Sequence, residues 1–376
     1  MESSMNQLLE SARKLPPIPP REAAAYRAHM NQLISDVDEA LASEPDIHEL
    51  IGHNPLRVMY ENHNHHAHFM STVFSIGNYE LLAKTVPWVY RAYRGHRFSY
   101  DYFPRELRAW MAAIRNRIAD VSMEAVPAVY QWMIDAHETM IALSRSELPF
   151  EMPVDEHWLE TRNAFQEALL NGEYPRCLDI ARKAVADPDR LESFYLLIIQ
   201  PALYEVGRLW ERGDISVANE HIASAIVARI MAALRSALPL RRLDKGRAVI
   251  SASSNEFHEI GAWMVSDILE QDGWDVRYVG ANTPREDLLD LLRQFKPQFL
   301  ALSVTMPFNI QNAADIVQGI RNDPKLASVR VMVGGNAFSQ SPDLWRATGA
   351  DAYAASFQDA RRLAAEWADS GPHGAE

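Results

Sequence analysis

Asn255-Glu256-Phe257-His258-Glu259-Ile260-Gly261 follows a short apolar run, Ala248-Val249-Ile250, and precedes an apolar-periodic stretch from Trp263 to Leu269. An apolar run, a polar loop and then a helical period read as strand, loop, helix. That order puts one imidazole, His258, on the loop at the carboxyl end of a first strand, where open α/β sheets bind ligands. Two further signals lie downstream. Ser303-Val304-Thr305 ends a second apolar run, and Gly334-Gly335 ends a third. The intervals are 41 residues between Gly261 and Ser303, and 28 between Thr305 and Gly334. A lone His-x-x-Gly carries no meaning; three elements in order, each at a strand end, carry a great deal.

Working outward, strand and helix patterns alternate from Gly246 to about residue 370. Ala248–Ser251, Val276–Val279, Phe299–Ser303, Val329–Val333 and Ala352–Tyr353 read as strands. Helices are expected at Ile260–Gln271, Pro284–Phe295, Ile310–Arg321, Pro342–Ala347 and Gln358–Trp367. Thr283-Pro284-Arg285-Glu286 reads as a capping box with proline at the first helical position. Alternation of this kind gives a doubly wound, Rossmann-like parallel sheet, expected in the flavodoxin-like order.

Before it, residues 154–238 show four helical patterns with short connections, at Glu156–Asn171, Pro175–Ala186, Leu191–Trp210 and Val217–Leu238. They suggest a small four-helix bundle, with Ser216 as the natural N-cap of the last helix. The basic linker Arg241-Arg242-Leu243-Asp244-Lys245 follows, and Leu148-Pro149-Phe150-Glu151-Met152-Pro153 marks the boundary in front. Nine residues separate Trp210 from Glu220-His221. Trp210 closes one helix and Glu220-His221 open the next, so a turn brings the elements together. Taken alone, Trp210 reads equally as a core residue, and Glu220-His221 as a first-turn pair favoured by the helix dipole.

Residues 21–147 are helical throughout, with Leu56, Met59, Tyr60, His63, Ala67, Met70 and Phe74 at three-and-four spacing. Further helices are expected at Tyr79–Tyr93, with Pro87 as a kink or restart, at Pro104–Ile118 and at Met123–Leu143. Residues 1–20 end in Leu15-Pro16-Pro17-Ile18-Pro19-Pro20, a prolyl segment that prefers an extended conformer and reads as an arm or linker. Two stretches of the helical domain stand out. Glu61-Asn62-His63-Asn64-His65-His66-Ala67-His68 carries four histidines in six positions, with His63 and His66 on the apolar face. Tyr90 to Phe103 interleaves cations with aromatics, including Arg94, His96, Arg97, Tyr100 and Asp101. Such a segment can clasp carboxylates with arginines and stack rings on a flat conjugated ligand. A heme wants an inward histidine, His63, His66 or His137; a bilin wants a carboxylate near its pyrrole nitrogens, and Asp101 is the obvious one. A plain helical interaction domain, with His63 and His137 as satisfied core histidines, stands equally open.

The strand-end triple resembles the cobalamin-binding signature Asp/Glu-x-His-x-x-Gly, then Ser-x-Leu/Thr, then Gly-Gly. The resemblance implies His258 as the lower axial ligand of cobalt, with the cofactor's own dimethylbenzimidazole swung away. Its nucleotide tail then needs a slot beside the sheet, where small Gly334 and Gly335 admit it and Ser303 and Thr305 can hydrogen-bond it. Gly261 belongs to the same signature, and Glu256 is placed to orient His258, as metal-bound histidines usually require. The Trp-x9-Glu-His segment is similar to that of the CarH-type adenosylcobalamin photoreceptors. That implies Trp210 over the adenosyl group, Glu220 accepting its hydrogen bonds, and loss of the group in light, with cap movement and light-controlled association. Those regulators carry a histidine directly after the tryptophan; here it is Glu211, which leaves His221 as the nearest substitute upper ligand. The domain order resembles the photocobilins, which join such a module to a helical, globin-like domain holding biliverdin.

The remaining expectations are coarse. A chain of 376 residues, 48% hydrophobic and 23% charged, is ordinary for a globular protein of two or three domains. A formal charge of −13 speaks against a general nucleic-acid or anionic-membrane surface. The single cysteine, Cys177, cannot form an internal disulfide and excludes covalent bilin attachment in the N-terminal domain; a cytoplasmic setting is the simplest expectation. No uninterrupted run of about 18 apolar residues is present. The expected protein is a light sensor rather than an enzyme, a homo-oligomer with an effector unnamed by the sequence. The rivals are a corrinoid carrier of a methyltransferase system and a heme-based interaction or sensor protein.

Overall fold

The structure is a computed structural model that describes residues 2–118, 123–146, 155–239, 241–339 and 343–369. The expected boundary at Leu148–Pro153 and the start of the helix expected at Pro342 lie outside these residues. The chain divides into two compact units. One contains residues 1–147, 304–318 and 336–350; the other contains 148–303, 319–335 and 351–376.

The second unit holds a five-stranded parallel sheet in the order β2-β1-β3-β4-β5. The strands are β1 (Gly246–Ala252), β2 (Trp274–Gly280), β3 (Phe299–Ser303), β4 (Arg330–Gly334) and β5 (Ala352–Ala354). This is the flavodoxin-like order expected from the alternation. Five consecutive residues of β1, Ala248 to Ala252, are buried, as a strand covered on both faces requires. Helices Ile260–Gln271 and Phe357–Asp369 cover one face, where Ala248, Ile250, Trp274, Phe299 and Met332 pack with Ala262, Leu269, Leu363 and Ala364. In register, Ala252 lies beside Ser303, and Ser303 beside Gly334, so the carboxyl ends of β1, β3 and β4 form one edge.

The same unit contains the helical cap, whose core joins Phe165, Phe194, Tyr195, Ile199, Val227 and Met231 to Met264 and Ile268 of helix Ile260–Gln271. The helix expected at Leu191–Trp210 is not uniform. A short 3-10 turn, Pro188–Arg190, precedes it; it opens as α-helix Leu191–Phe194, passes through a π-helical segment, Tyr195–Ile199, and ends as α-helix Gln200–Arg212. Helix Val217–Ala237 is long and apolar enough, by length and composition, to cross a membrane. Its buried side chains, among them Ala223, Ile226, Ile230 and Leu234, lie in the cap core.

The first unit is helical apart from its connections. Tyr26, Leu33 and Val37 of helix Pro20–Ala42, Met59 and Met70 of helix Leu56–Ile76, and Trp110 and Ile114 of helix Tyr102–Arg117 are all fully buried. One element is an addition: Glu2–Ala12, ahead of the prolyl segment, is a helix, held where Trp132 Nε1 donates to Ser11 Oγ at 3.0 Å. Two local expectations are corrected. Pro87 sits inside an unbroken helix, Tyr79–Gly95. The segment expected as one helix at Met123–Leu143 is two, Ala125–Asp135 and His137–Ser144. In the sheet unit, Pro284 rather than Thr283 precedes helix Arg285–Phe295, and no side chain caps it. Arg285 binds Glu286 instead, which leaves the expected box unformed.

Candidate cofactor site

The loop after β1 is tied down residue by residue. Ser253 N donates to Ser303 O at 3.0 Å, and Glu256 N to Ser253 O at 3.0 Å. Ser254 Oγ donates to Thr283 O at 2.7 Å, Asn255 N to Asn282 Oδ1 at 2.9 Å, and Asn282 N to Glu256 O at 3.0 Å. Asn255 takes φ +62°, a left-handed conformation that asparagine tolerates better than most side chains. These bonds bury Glu256 completely. Its Oε1 accepts the His258 backbone N–H at 3.1 Å and faces His258 Nδ1 at 2.6 Å.

That geometry defines what His258 can do. An ionised carboxylate only accepts, so Nδ1 carries the hydrogen and Nε2 is the nitrogen left for a metal. The ring is 58% exposed. Lost hydration pulls its pKa down, but the Glu256 hydrogen bond and charge, with Glu220 adding to them, raise it above the ordinary value. An imidazole aimed at solvent and oriented by a buried carboxylate has the donor character of a metal ligand, and a borderline centre such as cobalt suits it.

The other strand-end residues are placed with it in part. A Cβ on Gly261 would come within 4.0 Å of Ser303 Oγ, so Gly261 lies against that hydroxyl. Gly334 ends β4, and a Cβ there would meet Ala354 O at 2.9 Å; the close approach of β5 already requires glycine. Gly335 has φ +103°, a conformation that also favours glycine. Thr305 is half-buried and belongs to the other unit.

Trp210 lies in the last turn of helix Gln200–Arg212, which Gly213 closes at φ +77°. Ser216 caps the next helix as expected, and Asn219 completes a capping box that sequence reading passed over. Glu220 is fixed from two sides: Ser224 Oγ donates to Oε1 at 2.7 Å, and His221 Nδ1 lies 2.6 Å from Oε2. The His221 ring is largely exposed. Because the Glu220 charge is felt at His258, the cap carboxylate stands within electrostatic reach of the strand-end imidazole.

The N-terminal candidates separate into core and rim. His63 is fully buried, with Nδ1 2.5 Å from Asp38 Oδ1 and Nε2 2.7 Å from Tyr102 Oη. Both ring nitrogens are engaged in hydrogen bonds. His66 Nε2 lies 3.2 Å from Tyr130 Oη, and burial pushes its pKa down to about 3. His137 Nδ1 pairs with Tyr90 Oη at 2.9 Å. At the rim, Arg94 and Arg145 lie over the Tyr100 ring at 5.7 and 5.5 Å. Arg97, at φ +71°, and Asp101 are exposed, and His96 accepts Asn54 Nδ2 on its carbonyl.

Sequence reading missed Asn282, Thr283 and Ser224, which hold the site residues in place. It also missed Tyr195, whose hydroxyl donates to buried Asp267 at 2.6 Å where the cap meets helix Ile260–Gln271. No motif marks residues whose role is fixed only by a distant partner.

Comparison with known proteins bears on the same segments. A B12 binding domain family matches residues 246–364, and a second B12 binding domain family matches residues 161–235. The HTH-type transcriptional repressor CarH of Myxococcus xanthus is 30% identical over 186 residues, 49% of this chain and 60% of that protein. Dimethylamine corrinoid protein 3 of Methanosarcina acetivorans is 24% identical over 202 residues, 53% of this chain and 93% of that protein. The chain thus spans three fifths of the length of the first relative and nearly all of the second. A helical segment followed by a parallel-sheet domain, each matched as a B12 binding domain, makes this part of the chain a cobalamin-binding module.

Proposed function

We propose that the chain is a light sensor that holds adenosylcobalamin with His258 beneath the cobalt and does not itself turn over substrate. The observation that carries this reading is the fixed Glu220, braced by Ser224 and His221, with nine residues between it and Trp210. When bound, the cofactor supplies a cobalt–carbon bond that light can break. The chain's own part is to hold His258 Nε2 toward the metal through Glu256, to shelter an upper group with the Trp210 indole, and to accept its polar hydrogens at Glu220. Trp210 and Glu220, the residues that would hold such a group, both lie on cap helices, so the cap would be the element whose equilibrium its loss biases.

Biliverdin in the N-terminal domain belongs to the same proposal. Its support is buried His63 and Glu106, with half-buried His66 3.9 Å from the Glu106 carboxylate, together with the Arg94–Tyr100–Arg145 rim. Reconstitution with biliverdin, heme and cobalamin, read by absorption, tests each chromophore separately. Illumination of the cobalamin-loaded protein with green or blue light is the decisive measurement. Its cobalamin bands should shift and not recover at once; bands unchanged after strong light would remove the sensor reading.

A second reading is a corrinoid carrier in methyl transfer, favoured by the likeness to dimethylamine corrinoid protein 3 of Methanosarcina acetivorans over 93% of that protein's length. A carrier needs a small methyl group above the metal and access for a partner. The two readings part on retention of adenosylcobalamin against methylcobalamin, which the sensor reading expects to favour the adenosyl form.

A further inference from the structure

Phe257 is 68% exposed, the most exposed large apolar side chain among the described residues. Its neighbours in the chain are the opposite: Glu256 is fully buried and His258 is anchored through Nδ1. The loop before it is pinned at Ser254, Asn255 and Glu256, and after it the His258 N–H donates to Glu256 Oε1 at 3.1 Å. A phenyl ring is therefore held out into water by a tied-down loop, one residue before the imidazole. Apolar area left in water on a fixed scaffold is a standing cost that a covering ligand removes. The cap repeats the pattern. Val217 and Ile222, each 48% exposed, flank the Glu220–His221 pair on helix Val217–Ala237. Each carboxylate–imidazole pair thus has exposed apolar neighbours, which suits a flat ligand with a polar centre and an apolar face.

We propose that Phe257 is a positioning residue that seats the lower face of the corrin ring beside His258, a contact with the macrocycle and not with the nucleotide tail. The inference rests on the reading of His258 as the lower ligand. Adjacency in the chain assigns the ring, because Phe257 directly precedes the proposed lower ligand on its exposed loop, whereas Ser303 and Gly334 at the ends of β3 and β4 are the tail candidates.

The test compares the full-length protein with Phe257→Ser and Phe257→Leu, loaded with cobalamin or with cobinamide, which lacks the tail. Phe257→Ser should speed release of both corrinoids by a similar factor, roughly tenfold for part of a phenyl ring's burial. Phe257→Leu should keep most of the retention. The histidine-ligated absorption of the cobalamin that stays bound should be unchanged, as should the melting temperature of the cofactor-free protein. Wild-type release from Phe257→Ser would overturn the proposal, and so would faster release of cobalamin alone. If His258→Ala loses histidine ligation while Phe257→Ser releases both corrinoids normally, only this inference falls. If His258→Ala leaves the spectrum unaltered, the reading beneath it falls too.

Discussion

A buried carboxylate 2.6 Å from Nδ1 of an exposed histidine leaves Nε2 as the ring nitrogen open to a ligand. Glu256 both chooses the tautomer of His258 and restricts the ring's rotation, so its removal should weaken the metal bond without touching the metal. Glu256→Gln is expected to reduce cobalamin affinity about 10- to 100-fold, measured by equilibrium dialysis, with the fold intact by circular dichroism. His258→Ala should abolish the histidine-ligated spectrum altogether. On the cap, Trp210→Ala should weaken adenosylcobalamin relative to methylcobalamin; an equal effect on both would make the indole a packing residue only. Gly334 is a different matter. Alanine there meets the Ala354 carbonyl, so Gly334→Ala should lower the melting temperature even in cofactor-free protein.

At the scale of elements, helix Ile260–Gln271 joins two surfaces. It begins next to the His258 loop, and its Met264 and Ile268 enter the cap core. Asp267 on this helix accepts from Tyr195 of the π-helical segment, with Trp263, Glu270 and Arg235 also acting on it. Burial dominates and pushes the Asp267 pKa up to about 7. A carboxyl whose pKa is higher folded than unfolded favours folding most below its unfolded pKa, and that contribution is lost as pH rises through the folded value. Stability should therefore fall between about pH 4 and pH 7, by at most roughly 4 kcal/mol at about 1.4 kcal/mol per pKa unit. Asp267→Asn keeps the shape and removes the titration. Denaturant unfolding across this range should show a flatter profile in the variant, and an unchanged slope would mean that other carboxyls carry it.

On the scale of the molecule, the compact units do not follow the order of the chain. Residues 304–318, which begin directly after Ser303 and contain Thr305, pack with the N-terminal helices. His65 stacks on Phe308 with ring centroids 4.8 Å apart and planes 9° from parallel. Thr72 Oγ1 donates to Phe308 O at 3.3 Å, and Arg27 pairs with Asp315 at 2.5 Å. Three of the histidines singled out in one short run thus meet three fates: His63 in the core, His66 beside Tyr130, and His65 against a segment more than two hundred residues away. A stacked ring pair is worth about 1 kcal/mol, so His65→Ala should raise amide exchange in residues 304–318 roughly fivefold while β1 and β3 stay protected. Equal protection in both proteins would show that the stack does not hold the segment.

The parallel sheet, its strand order and the residues at its carboxyl edge were legible in the sequence, because hydrophobic period and strand-end motifs are local and repeat at set intervals. The helix expected at Ile260–Gln271 and the strand at Phe299–Ser303 have the predicted bounds. Local signals misled where packing outweighed them: Pro87 stays in a helix that its neighbours bury. Which nitrogen of His258 is available, why Gly334 is glycine, where Asp267 finds its hydrogen bond and which unit claims Thr305 were decided by tertiary structure alone. Each depends on a partner far along the chain, and a linear pattern encodes burial and period but not which distant atom will stand opposite.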